Sequence, residues 1–87
     1  MELKEGMLAI SKAGHDKGCW YVVVKLEDEY AFLADGKNRL MEHPKRKKLK
    51  HLQKVARVPE LLQEKMDKGK AFTDVEIKRA LKLAKQD

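Results

Sequence analysis

Residues 43–51 read HPKRKKLKH, in which five of nine positions are Lys or Arg and a His stands at each end. Lys and Arg offer only donors and stay charged at physiological pH, so the chemistry such a run can do is anion pairing. Other residue types offer little for catalysis. Ser11 is the only Ser and Thr73 the only Thr, and Thr73 is better explained as a helix cap. His15 and Cys19 stand four apart, the spacing of a thiol–imidazole pair, but a lone Cys at the start of a strand reads as a small apolar side chain. A zinc site needs three or four ligands at suitable spacing, and His15, Cys19, His43 and His51 match no standard pattern. The sequence therefore predicts no enzyme, no metal and no cofactor.

The charge is concentrated. The chain carries +6 overall, with −3 over residues 1–36, +7 over 37–54 and +2 over 55–87. A basic segment beside an acidic half points to a polyanion partner, nucleic acid first and an anionic membrane surface second. PKRKKLK also satisfies a nuclear-localisation pattern, but its place between predicted strands argues against a free linear signal. The start, MELKEGMLAI, reads as no signal peptide. The longest apolar run, Cys19–Val24, is too short to span a bilayer. One Cys allows no internal disulfide, which predicts a reducing, cytoplasmic setting.

Strands must hold these cations. Met7–Ser11 is a short apolar run, followed by KAGHDKG, whose Gly14 and Gly18 are turn chemistry. In Cys19–Glu27, Trp20, Val22, Val24 and Leu26 alternate with Tyr21, Val23, Lys25 and Glu27, the two-residue period of a strand. Glu27–Glu29 makes an acidic turn into a third strand, Tyr30–Ala34. Asp35-Gly36 signals a hairpin, from which Arg39–Glu42 pairs back as a fourth strand. A last short strand is expected between Leu49 and Val55. Then the period changes. Pro59 opens a helix that stops at Gly69. Thr73-Asp-Val-Glu76 fits a capping box, with Phe72 and Ile77 as a hydrophobic staple. Ile77, Ala80, Leu81 and Ala84 share one face of the second helix, and Lys78, Arg79, Lys82 and Lys85 lie largely off it. The predicted fold is mainly β with α: a small barrel over residues 1–57, including the basic segment 37–54, and a helical extension over 58–87. Pattern alone leaves open whether the helices pack on the barrel.

The stretch EGMLAISKAGHDKGCWYVVVKLE resembles a KOW motif, the RNA-binding element of several ribosomal proteins and transcription elongation factors. Gly14 matches the loop glycine, and Gly18 matches the glycine that follows the loop's basic residue, Lys17. LADGKNRLMEHPKRKKLKHLQ resembles the segment after the motif in the L-fourteen-e group of ribosomal proteins and its small bacterial relatives, with Lys50-His51-Leu52 as the match. The likeness covers about residues 6–54, and FTDVEIKRALKLA resembles the tail of the bacterial proteins. It implies an SH3-like barrel and RNA binding. His15 departs from the Arg of many relatives, which weakens one phosphate contact near neutral pH.

The expected function is non-enzymatic binding of structured RNA, ribosomal RNA and the large ribosomal subunit being the first candidates, in association with translation. The expected phosphate contacts are Lys12, His15 and Lys17 in the loop, Lys37 and Arg39 in the turn, and Lys45, Arg46, Lys47, Lys48, Lys50 and His51 in the run. Two alternatives are a protein-interaction adaptor using the C-terminal helix and a KOW-type transcription-associated factor.

Overall fold

A computed structural model describes residues 2–55 and 57–86. The chain is mainly β with α: a five-stranded antiparallel sheet followed by two helices. The strands are β1 (Leu8–Ser11), β2 (Trp20–Glu27), β3 (Tyr30–Ala34), β4 (Lys45–Lys48) and β5 (Leu52–Val55). A 3₁₀ turn, Leu49–His51, joins β4 to β5, and the helices are α1 (Glu60–Asp67) and α2 (Asp74–Lys85). The strand order is β4-β3-β2-β1-β5, and β4 and β5 remain the two edges of an open sheet.

Three elements differ from the sequence expectation. The fourth strand is the basic run itself, with Leu33 opposite Lys45 and Tyr30 opposite Lys48. Arg39–Glu42 lies in the loop that precedes it. Asp35-Gly36 is not a two-residue hairpin. Asp35 Oδ1 accepts the N–H groups of Lys37, Asn38 and Arg39 at 2.8–2.9 Å, and this holds a longer loop, residues 35–44. Finally, the register of β2 against β3 shifts between Val23 and Lys25. The extra residue turns Leu26 to the opposite face from Trp20, Val22 and Val24, so the alternation does not run unbroken through β2.

Both faces of the sheet are covered. On one, Ala9, Tyr21, Val23, Ala31, Leu33 and Leu52 form a core flanked by Leu26 and Leu49. On the other, Leu8, Val22 and Ala34 meet Leu62 of α1 and Ile77, Ala80 and Leu81 of α2. The helices therefore pack on the sheet. Burial of a side chain such as Ile77 or Leu81 is worth about 1.5–3 kcal/mol. A helix of this length is marginal alone, so this packing holds it. Trp20 also packs against this core and is half-buried.

Local signals set the helix ends. α1 stops in a Schellman pattern, Lys70 N–H donating to Lys65 C=O and Gly69 N–H to Met66 C=O. At α2, Thr73 Oγ1 accepts from Glu76 N–H and Glu76 Oε1 accepts from Thr73 N–H, and Phe72 and Ile77 share one core. The bond from the Thr73 N–H is the first cause that holds the Glu76 carboxyl below its ordinary pKa. Thr73→Ala should cost about 1 kcal/mol in urea unfolding at neutral pH; a variant as stable as the parent would show that the cap contributes nothing.

Candidate nucleic-acid interface

Topology sorts the charges. In an antiparallel meander, alternate connections leave from the same end of the sheet. Here the β1–β2 loop, residues 12–19, and the β3–β4 loop, residues 35–44, share one end. Lys12, His15, Lys17, Lys37 and Arg39 are all exposed on them. The β2–β3 turn, with Glu27, Asp28 and Glu29, leaves from the other end. The N-terminal segment also sits there, and Glu2 and Asp28 line a common hollow with Leu3 and Leu26.

One largely enclosed carboxylate organises the basic end. Asp16 Oδ1 accepts from Ser11 Oγ at 2.9 Å and from Lys47 Nζ at 2.7 Å. Asp16 Oδ2 accepts from Tyr21 Oη at 2.7 Å and faces Lys45 Nζ at 2.9 Å. Lys47 Nζ also donates to Ala13 C=O at 3.0 Å. Burial opposes the Asp16 charge, but the bonds from Lys47, Lys45, Tyr21 and Ser11 outweigh it and hold the carboxyl far below the usual carboxylate range. Burial and the Asp16 bond push the Tyr21 phenol well above its ordinary value, so it remains a donor. The 12–19 loop is thereby tied across the sheet to β4. Lys12 N–H donates to His51 C=O at 2.8 Å, which ties the same loop to the 3₁₀ turn.

The structure divides the basic run into three environments. Lys45 and Lys47 point to the side of Ala31 and Leu33, and Asp16 takes both charges. The Lys47 side chain is only 10% accessible. Arg46 points to the opposite face and stacks on Tyr30, with its guanidinium carbon 3.6 Å from the ring centroid. Lys48 and Lys50 line a hollow with Asp28 and Glu29, at the acidic end. His51 is half-buried. The run is thus no single wall, because consecutive strand residues face opposite ways.

Sequence reasoning missed Asp16 and Tyr30. The signal for Asp16 was an acid within an otherwise basic, Gly-bounded loop. For Tyr30 no sequence signal marked its pairing with a residue of the run. Cys19 is exposed just before β2, not buried as a small apolar side chain would be. Among the described residues, no cluster of three or more His, Cys, Asp or Glu is placed to hold a metal ion. No helix among them is long and apolar enough to cross a membrane. No protein-family model matches the sequence, and no curated protein matches it.

Proposed function

We propose that this chain is a non-enzymatic RNA-binding domain of the KOW type, which holds structured RNA by its phosphates and serves translation, with ribosomal RNA as the first candidate. The observation that carries the proposal is an uneven charge distribution: Lys12, His15, Lys17, Lys37 and Arg39 are exposed at one end of the sheet, where Glu42 is the exposed acid, and the acidic turn of residues 27–29 is at the other, beside Lys48 and Lys50. A polarised surface of this kind steers a polyanion to one end. An SH3-like barrel is the finer fold reading. Its support is the meander order with β5 beside β1, the 3₁₀ turn between β4 and β5, and the bonds that draw the 12–19 loop onto β4. The adaptor alternative requires the apolar face of α2 to be open, and that face is packed on the sheet.

The test is co-sedimentation with ribosomal subunits, and binding to isolated ribosomal RNA, across a salt series. Lys45 and Lys47 are unsuitable for substitution, since changing them breaks the Asp16 network. The informative variant is K12Q/K17Q/K37Q/R39Q. If about five phosphates are contacted, the log–log salt slope of the parent is about −3.5 to −4.5, and the variant should lose most of it. Salt-independent binding, or equal competition by duplex DNA, would remove the RNA reading, the latter in favour of a DNA-bound factor.

A further inference from the structure

The C-terminal helix carries a basic surface that the sequence run does not include. Lys78, Lys82 and Lys85 are spaced i, i+4 and i+7 on α2, and all three are exposed. At about 100° per residue they fall within roughly 60° of arc. Glu76 lies about 160° around the helix from Lys78, and its carboxylate turns to Lys65 of α1 at 3.3 Å. The lysine stripe therefore faces away from α1.

The 35–44 loop docks beside this stripe. Met41 N–H donates to Asp74 Oδ1 at 2.8 Å, and Gly36 lies against the Asp74 carbonyl and the Lys78 backbone. The same loop holds Lys37 and Arg39 through Asp35. No acidic side chain pairs with Lys37, Arg39, Lys78, Lys82 or Lys85 among the described residues. The two acids at the start of α2 are already engaged, Asp74 by Met41 and Glu76 by Thr73 and Lys65. Among the described residues, the large apolar side chains that are exposed are Leu40, Met66, Val75 and Leu83, none of them aromatic. Such a surface can pair with phosphates, and Lys37, Arg39, Lys78, Lys82 and Lys85 include no Phe, Tyr or Trp ring for an unstacked base, although His43 is exposed on the same loop.

We infer that Lys37, Arg39, Lys78, Lys82 and Lys85 form a continuous phosphate-binding surface that takes the backbone of double-helical RNA. The inference rests on the RNA-binding reading and adds α2 as a second wall. Single-strand binders combine a basic groove with stacking aromatics, whereas duplex RNA is held by shape and by backbone contacts. The stripe spans about 10 Å along α2, and packing on the sheet fixes its direction.

Fluorescence anisotropy with a labelled RNA hairpin stem, and with an unpaired strand of equal length, tests this. The variant is K78Q/K82Q/K85Q, and K4Q/K68Q/K70Q removes the same charge elsewhere. All six side chains are exposed, so both variants should fold. On this reading the parent salt slope on the hairpin is steeper than the loop cations alone would give, the α2 variant should make it shallower by about 2–3, the control should leave it unchanged, and the parent should prefer the hairpin. An unchanged slope in the α2 variant, while K12Q/K17Q/K37Q/R39Q loses affinity, overturns this inference and leaves the RNA reading standing. Equal losses in the α2 variant and the control overturn it as mere net charge. Preference for the unpaired strand overturns the duplex assignment. A parent with no salt-dependent affinity for either RNA removes both proposals.

Discussion

Asp16→Asn is expected to remove about 3–5 kcal/mol of folding stability at neutral pH, because it leaves two lysines facing each other without a counter-charge. That is a large share of the roughly 5–15 kcal/mol of a small domain. An Asn keeps one accepting oxygen, for Tyr21 or for Ser11, and turns an NH2 to the other, so the loss combines the charge with one hydrogen bond. The charge is near Lys47, at 2.7 Å, and Lys45, at 2.9 Å, with the Asp16 side chain only 11% accessible. Adding Lys47→Met in the Asn background should recover part of the stability, since it removes the less accessible of the two orphaned ammonium groups. Urea unfolding of the parent and both variants measures this. A cost below about 1 kcal/mol, the range of an exposed pair, would mean that solvent screens the network.

The same carboxylate sets an acid limit. Its folded pKa lies below its unfolded value, so in acid the unfolded chain binds more protons and stability falls with pH. The contribution is complete above the unfolded carboxylate value of about 4 and is lost as pH drops toward the folded value. In Asp16→Asn this part of the acid slope disappears. Parallel losses in parent and variant below about pH 4 would assign the acid limit to other groups.

Elements with a local period are legible in the amino-acid sequence. β3 is found at its expected residues, β2 and β1 within one residue, and α2 starts at the cap that Thr73 and Glu76 announce. These signals are complete within a few residues of chain. β4 is not legible, because Lys-Arg-Lys-Lys has no apolar alternation. It is a strand because the edge of β3 offers it a ladder and because Asp16, 31 residues before Lys47, neutralises its inward face. The bulge after Val23 is hidden for a similar reason: three consecutive valines fit either face, and only the partner strand decides where the alternation slips. The apolar face of α2 can be read, but not what covers it. As for the candidate site, residue type identifies the loop cations. Their separation from Lys48 and Lys50 depends on which end of the sheet each connection leaves.

Gly36→Ala is the second large effect, expected to cost about 2–5 kcal/mol, and it couples stability to the candidate site. Gly36 has φ +76°, a region that costs an L-residue about 1–2 kcal/mol. An added Cβ would also run into the Asp74 carbonyl oxygen and come within 3.1 Å of the Lys78 backbone nitrogen and Cβ. Both backbone atoms belong to the start of α2 and cannot turn away as a side chain can, so overpacking adds about 1–3 kcal/mol. Relief requires the 35–44 loop and the start of α2 to separate, which threatens the Met41–Asp74 bond and moves Lys37 and Arg39 away from Lys78. Gly18→Ala supplies the internal comparison. Gly18 has φ +90°, yet nothing lies within 4 Å of its added Cβ, so only the dihedral cost of about 1–2 kcal/mol applies. Thermal unfolding should therefore rank parent, Gly18→Ala and Gly36→Ala in falling stability. At a temperature where all three stay folded, Gly36→Ala alone should weaken RNA binding through the α2 surface. Equal destabilisation by the two alanines would mean that the loop and α2 are not in close backbone contact, and the continuous basic surface would lose its junction.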